Sequence, residues 1–164
     1  GEIAYRHNFG GDVRLNLTGH FSWIENRESF ASISDPTFSD RLHGEIGVPR
    51  WRLLGIAQLV TKAFDITATT RWFSKQSIEG WEVQHSHQGR NPTNLDANPD
   101  IYYRPAAYFD LEVGAKIAGK SRAYIGVDNL FDKLPPNGGL GTSTEGGIYN
   151  NIGRFFYAGI TAKL

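Results

Sequence analysis

Alternation of apolar and polar side chains over runs of about ten residues is the feature that most constrains this chain. At 109–117, Phe109, Leu111, Val113, Ala115 and Ile117 alternate with Asp110, Glu112, Gly114 and Lys116. A helix would scatter those charges over every face. A strand sends successive side chains to opposite faces, so the period of two predicts one apolar and one polar face. The stretch 13–23 repeats the pattern, with Val13, Leu15, Leu17, Gly19, Phe21 and Trp23 set against Arg14, Asn16, Thr18, His20 and Ser22. About eleven residues rising about 3.3 Å each give a strand of about 36 Å, longer than the roughly 5–6 residues usual in soluble sheets. It matches the roughly 9–11 residues with which a tilted strand crosses a bilayer.

Similar runs at 66–73, 123–128 and 156–164, with a short one at 3–8, bring the expectation to about seven strands. The segment 51–61 (WRLLGIAQLVT) belongs with them, but it is apolar on both faces in places, so its facing stays open. The connections alternate strictly. Short turns are expected at 9–12, 62–65 and 118–121, and stretches of about twenty residues or more, rich in Pro, Gly, Asn and Asp, at 27–47, 80–105 and 132–151. Long loops of this kind count against a compact soluble domain. They suit an outer-membrane barrel, with short turns on the periplasmic side and long loops outside. Phe21, Trp23, Trp51 and Trp72 fall near strand ends, where interfacial aromatic girdles sit.

Composition narrows the field further. Lys+Arg and Asp+Glu are 17 each, leaving no basic field to draw nucleic acid. The absence of Cys excludes a disulfide framework and a thiol nucleophile. No run approaches the roughly 18 apolar residues of a membrane helix. Residue 1 is Gly and Met is absent throughout, so a processed or truncated product is expected.

Two stretches carry a family resemblance. YIGVDNLFDK at 124–133, followed by Pro135, Pro136, a Gly-rich loop and GRFFYAG at 153–159, resembles the C-terminal hairpin of TonB-dependent outer-membrane receptors. Val48-Pro49-Arg50-Trp51 ahead of a long strand and the later Arg71-Trp72 look like preceding strand pairs of the same family. The resemblance implies an all-β fold: an antiparallel up-and-down transmembrane β-barrel segment, about seven strands of a barrel of about 22. On that reading 1–164 is the C-terminal part of the barrel, with the N-terminal plug domain and the remaining strands absent. It implies residence in the bacterial outer membrane and import of a scarce siderophore, cobalamin or glycan. The partners would be outer-membrane lipid, the plug and missing strands, the TonB complex through the N-terminal part, the barrel assembly machinery and a small-molecule or glycan ligand, with no nucleic acid and no cofactor. Phe156, Ile160 and Leu164, from the apolar set that alternates back from the end, would form the assembly signal. Leu164 stands where the family usually has Phe.

Physics independently favours a segment, because a seven-stranded strip has two unpaired edges that hydrocarbon does not tolerate. Such a strip is not expected to fold alone. Two other classes compete: a small eight-stranded outer-membrane protein of structural or adhesive role, and a soluble glycan-binding β-sandwich, which would bury strand faces between two sheets.

No enzyme is expected. Residues 114–121 (GAKIAGKS) match the P-loop pattern literally, but the flanking segments have a period of two, so a hairpin turn is predicted instead of a phosphate-binding helix start. His85 and His87 give two metal ligands where a site needs three or four. Asp110, Glu112 and Glu82 read as wall charges rather than paired catalytic acids. The residues placed toward a ligand are Trp81, Tyr102, Tyr103 and Arg104 from the second long loop, with lumen-facing Arg71 and Lys75.

Overall fold

The computed structural model describes residues 1–30, 34, 39–77, 102–117, 121–136 and 148–162. Seven long strands pair in chain order: β1 (Glu2–Gly10), β2 (Val13–Trp23), β5 (Trp51–Val60), β6 (Phe64–Phe73), β9 (Ala106–Lys116), β10 (Arg122–Asp128) and β11 (Phe155–Thr161). Every pairing is antiparallel and joins strands that follow one another in this series. The long connections carry two further short ladders absent from the period-two reading. These are β3 (Glu28–Phe30) with β4 (Ser39–Arg41), and β7 (Gln76–Ser77) with β8 (Tyr102–Tyr103). Among the described residues, no helix is long and apolar enough to cross a membrane.

The short turns are written in their residues. Gly10 and Gly11 sit at φ of +89° and +58°, values side chains rarely adopt, so a Gly-Gly pair closes the first hairpin. In the second, the Thr61 hydroxyl donates to the Phe64 carbonyl at 2.8 Å and accepts the Phe64 N–H at 2.9 Å. The third follows β9, where the Ile117 N–H donates to the Ser121 carbonyl at 3.0 Å. The P-loop look-alike therefore joins two antiparallel neighbours, with Lys116 opposite Arg122. Residues 118–120 lie outside the described set.

Register resolves the facing of β5. Trp51 pairs with Trp23 and Ala57 with Leu17 and Ala68, which puts Trp51, Leu53, Gly55, Ala57 and Leu59 on the apolar face. One cross-strand row, Tyr5, Leu17, Ala57, Ala68, Leu111, Val127 and Phe156, takes a residue from each of the seven strands. This face is uncovered: Ile125 is 65% exposed, Phe156 71% and Ile160 72%. Water-soluble monomers rarely leave an apolar sheet face of that extent bare. Toward the loop end it carries Phe21, Trp23, Trp51 and Trp72, with the Trp23 and Trp51 rings stacked at 5.8 Å.

The opposite face is polar and bonded across strands. The neighbouring row runs Arg6, Asn16, Gln58, Thr67, Glu112, Gly126 and Tyr157. Arg6 donates to Asn16 and Asn16 to Gln58, each at 3.1 Å, and the Tyr157 hydroxyl donates to Glu112 at 3.3 Å. Arg122 bridges Asp65 and Glu112 at 2.5 Å and 2.7 Å. It does so by lying flat over Gly114, where a Cβ would meet its guanidinium. Two reciprocal pairs follow: the Tyr157 ring covers Gly126, and the Tyr124 ring covers Gly159. A ring on one strand thus fills the gap left by a glycine on the next, which is the physical content of the YIGVD and FFYAG segments.

The DNLFDK segment turns the chain out of β10. The Asn129 amide donates to the Lys133 carbonyl at 3.0 Å and accepts the Lys133 N–H at 2.8 Å, with Asn129 itself at φ +53°. Asp132 then accepts the Arg154 N–H at 2.9 Å, tying this turn to the start of β11.

Candidate functional site

All three long connections leave the same end of the sheet, and there they are stitched together on the polar side. Phe73, Ala106 and Tyr108 close the upper wall and pack with Tyr103 and Tyr149 into a buried cluster, flanked by Ile46 and Ile148. Phe73 and Tyr103 both meet Tyr149 edge-on, at 5.2 Å and 6.1 Å. Gln76, fully buried, locks this cluster to the first connection: it accepts the Gly47 N–H at 2.7 Å and donates to the Tyr149 hydroxyl at 3.1 Å. The Tyr108 hydroxyl accepts the Asn150 N–H at 3.2 Å, which brings in the third connection. Burial, reinforced by the Tyr108 and Tyr103 hydroxyls, pushes the Tyr149 hydroxyl up to about 12, so it acts only as a neutral hydrogen-bonding group.

The first connection folds back on itself around His43. The imidazole is buried, and its Nδ1 accepts the Arg27 N–H at 3.2 Å. Burial, the largest cause, pushes its pKa down; the Arg27 carbonyl, 3.4 Å from Nδ1, offsets part of this, and the Arg41 and Arg50 cations add to the depression. A folded value below the unfolded one of about 6.5 favours the neutral ring, so the associated stability is present above about pH 6.5 and lost as pH falls through the folded value. An NMR titration of the His43 ring is expected to give a midpoint below about 6.5, with weakening of the Arg27 contact under acid. A midpoint at or above that of an unfolded peptide would contradict the burial argument.

Between this turn and the second connection lies a cavity of about 290 Å³, lined chiefly by Arg41, His43, Arg50, Trp51, Lys75 and Tyr102. Its walls are held by the backbone: the Ser77 N–H donates to the Gly44 carbonyl at 2.7 Å, and the Ser74 N–H to the Trp51 carbonyl at 3.0 Å. Lys75 Nζ stands 4.2 Å from the centre of the Tyr102 ring, a cation–π contact. The Arg50 guanidinium donates to the Glu25 carbonyl at 3.3 Å.

The six residues placed toward a ligand by sequence separate here. Lys75 and Tyr102 come together at the cavity. Arg71 lies on the polar face one layer below, paired with Asp110 at 3.1 Å and 5.7 Å from the Tyr108 ring. Tyr103 is buried in the aromatic cluster, so its substitution would disturb packing first. Arg104 is exposed just before β9. Trp81 lies outside the described residues, as do His85, His87 and Glu82. Phe156 and Ile160 share the apolar face of β11, while Leu164 lies outside the described residues. Sequence reading missed His43, Gln76 and Tyr149, whose contacts cross 16 to 73 residues and leave no local pattern. No cluster of three His, Cys, Asp or Glu side chains suited to a metal occurs among the described residues.

No family model matches the chain, and no curated protein matches it. Among solved structures it is similar to two mutants of the ferric enterobactin receptor PfeA from Pseudomonas aeruginosa, each in complex with enterobactin. Identity is 18% in both, with TM-scores of 0.50 and 0.51. Each match covers 97% of this chain and 21% of the receptor, so the chain spans about a fifth of the length of the structures it resembles. The shared feature is the fold: an all-β antiparallel wall, as in the β-barrel of such receptors.

Proposed function

We propose that this chain is part of the wall and mouth of a TonB-dependent outer-membrane receptor that imports a small-molecule ligand and is not an enzyme. The observation that carries the reading is the sheet itself. Long strands pair strictly in order, one face is bare and apolar, the other is polar and cross-bonded, and every long connection leaves from one end. Only a closed barrel satisfies such strands in hydrocarbon, so the edges of β1 and β11 call for further strands, and the polar face for a plug. The structural likeness to a ferric enterobactin receptor favours an iron-chelating siderophore over cobalamin or a glycan. Energy coupling would come from a TonB complex acting on the plug. Phe156, Ile160 and Leu164 would be read by the barrel assembly machinery, and Lys75, Tyr102, Arg104, Trp81 and the Arg71 layer would face the ligand.

The test is accumulation of a radiolabelled ferric siderophore panel by cells with and without the gene, in the presence and absence of an uncoupler. Accumulation that disappears on deletion and on uncoupling is the expected result. Accumulation indifferent to deletion for every siderophore of the panel would overturn import of a ferric siderophore.

A further inference from the structure

The cavity beside His43 combines features that the receptor reading alone does not require. Three cations from three places in the fold, Arg41 on β4, Arg50 just before β5 and Lys75 just after β6, line one space of about 290 Å³ against a single carboxylate, Glu45. A second carboxylate, Glu28 on β3, is held below the ordinary carboxylate range mainly by its bond to Asn26, and it interacts electrostatically with the imidazole. Two aromatic side chains flank the cations: Tyr102 beneath Lys75, and Trp51, whose ring stacks on Trp23 at the edge of the bare apolar face. The cavity thus sits at the level of the aromatic band, where amphipathic rings meet lipid headgroups.

We propose that this cavity is an anion site for a phosphate group, with Arg50 and Lys75 as its principal ligands and Arg41 as the third positive charge. Guanidinium forks and a compact ammonium are the side chains that match phosphate oxygens in geometry and charge. The walls are prebuilt, because the backbone bonds at Ser74 and Ser77 and the buried His43 hold both sides in place. A phosphate can arrive in two ways, on a soluble ligand or on the headgroup of a lipid lying against Trp51. The second route rests on the receptor reading, since it needs the apolar face to lie in a membrane.

The test uses the full protein in an uncharged detergent with inorganic pyrophosphate as probe, read by calorimetry. In a parallel arm the protein is placed in nanodiscs of phosphatidylcholine with or without phosphatidic acid, and phosphorus NMR reads headgroup binding. Saturable binding is expected in at least one arm, weakened about tenfold or more in Arg50→Gln/Lys75→Gln. The pair Arg50→Lys/Lys75→Arg keeps the charge and is expected to keep binding, which separates a lost site from a lost fold. Binding confined to pyrophosphate identifies a soluble phosphate-bearing ligand, and binding confined to nanodiscs a lipid headgroup. No saturable binding in either arm, or equal binding by the charge-removing variant, overturns the site. A protein that imports a ligand but binds neither probe loses only this proposal. A protein that binds pyrophosphate and imports nothing loses only the receptor reading.

Discussion

Arg122→Met is expected to destabilise the sheet by about 2–3 kcal/mol, measured by denaturant unfolding of the protein in detergent. The reason is geometric. Arg122 reaches from β10 across β9 to β6, donating to Asp65 at 2.9 Å and 2.5 Å and to Glu112 at 2.7 Å. Removing it leaves two carboxylates facing each other with no cation between them. The side chains involved are 29%, 11% and 29% exposed, so solvent softens the penalty below the roughly 3–5 kcal/mol of a fully buried broken pair. Arg122→Lys should recover part of the loss, since an ammonium supplies the charge without the fork. Gly114→Val tests the same device from the other side, because a side chain there displaces the guanidinium while leaving all three charges in the protein. A loss within about 0.5 kcal/mol for Arg122→Met, as for an ordinary surface change, would show that the bridge is ornamental.

The second large effect is expected at Gly126. A Cβ at this position would run into the Tyr157 ring, so Gly126→Val must push the ring away and break the bond between its hydroxyl and Glu112. Overpacking of this kind costs about 1–3 kcal/mol. Tyr157→Ala removes the obstacle, so the double variant should be less damaged than the two single losses added together, by about 0.5–3 kcal/mol. Strict additivity would mean that ring and glycine do not depend on each other. Gly159 and Tyr124 repeat the arrangement two residues along the same strands and should behave likewise.

These two devices mark how far sequence reading reached. The strands were legible because alternation is local: each of Phe109, Leu111 and Val113 declares its side of the sheet by its neighbour. β5 was not, since Leu54, Ile56 and Val60 are apolar and yet lie on the polar face, opposite Arg71, Thr69 and Asp65. Only the pairing partner fixes such a strand. The family segments were legible as strings, but their reason, glycines roofed by rings from the next strand, is a relation between strands. At the mouth, composition pointed to Lys75 and Tyr102, while the clamp of Gln76 on Gly47 and Tyr149 rests on contacts 29 and 73 residues apart and had no trace in any local window. The short ladders inside the long connections escaped for a related reason: two or three residues are too few to show a period.

The strictly sequential pairing of the seven strands has a consequence for how a wall like this one can change. Each hairpin touches only the hairpins before and after it, so a duplication inserted at a short turn would add two strands and widen the perimeter while leaving every older pair in register. A substitution at the mouth, by contrast, is read by three connections at once. Such a protein is therefore free to alter its girth in whole hairpins, while its rim can be revised only in concert.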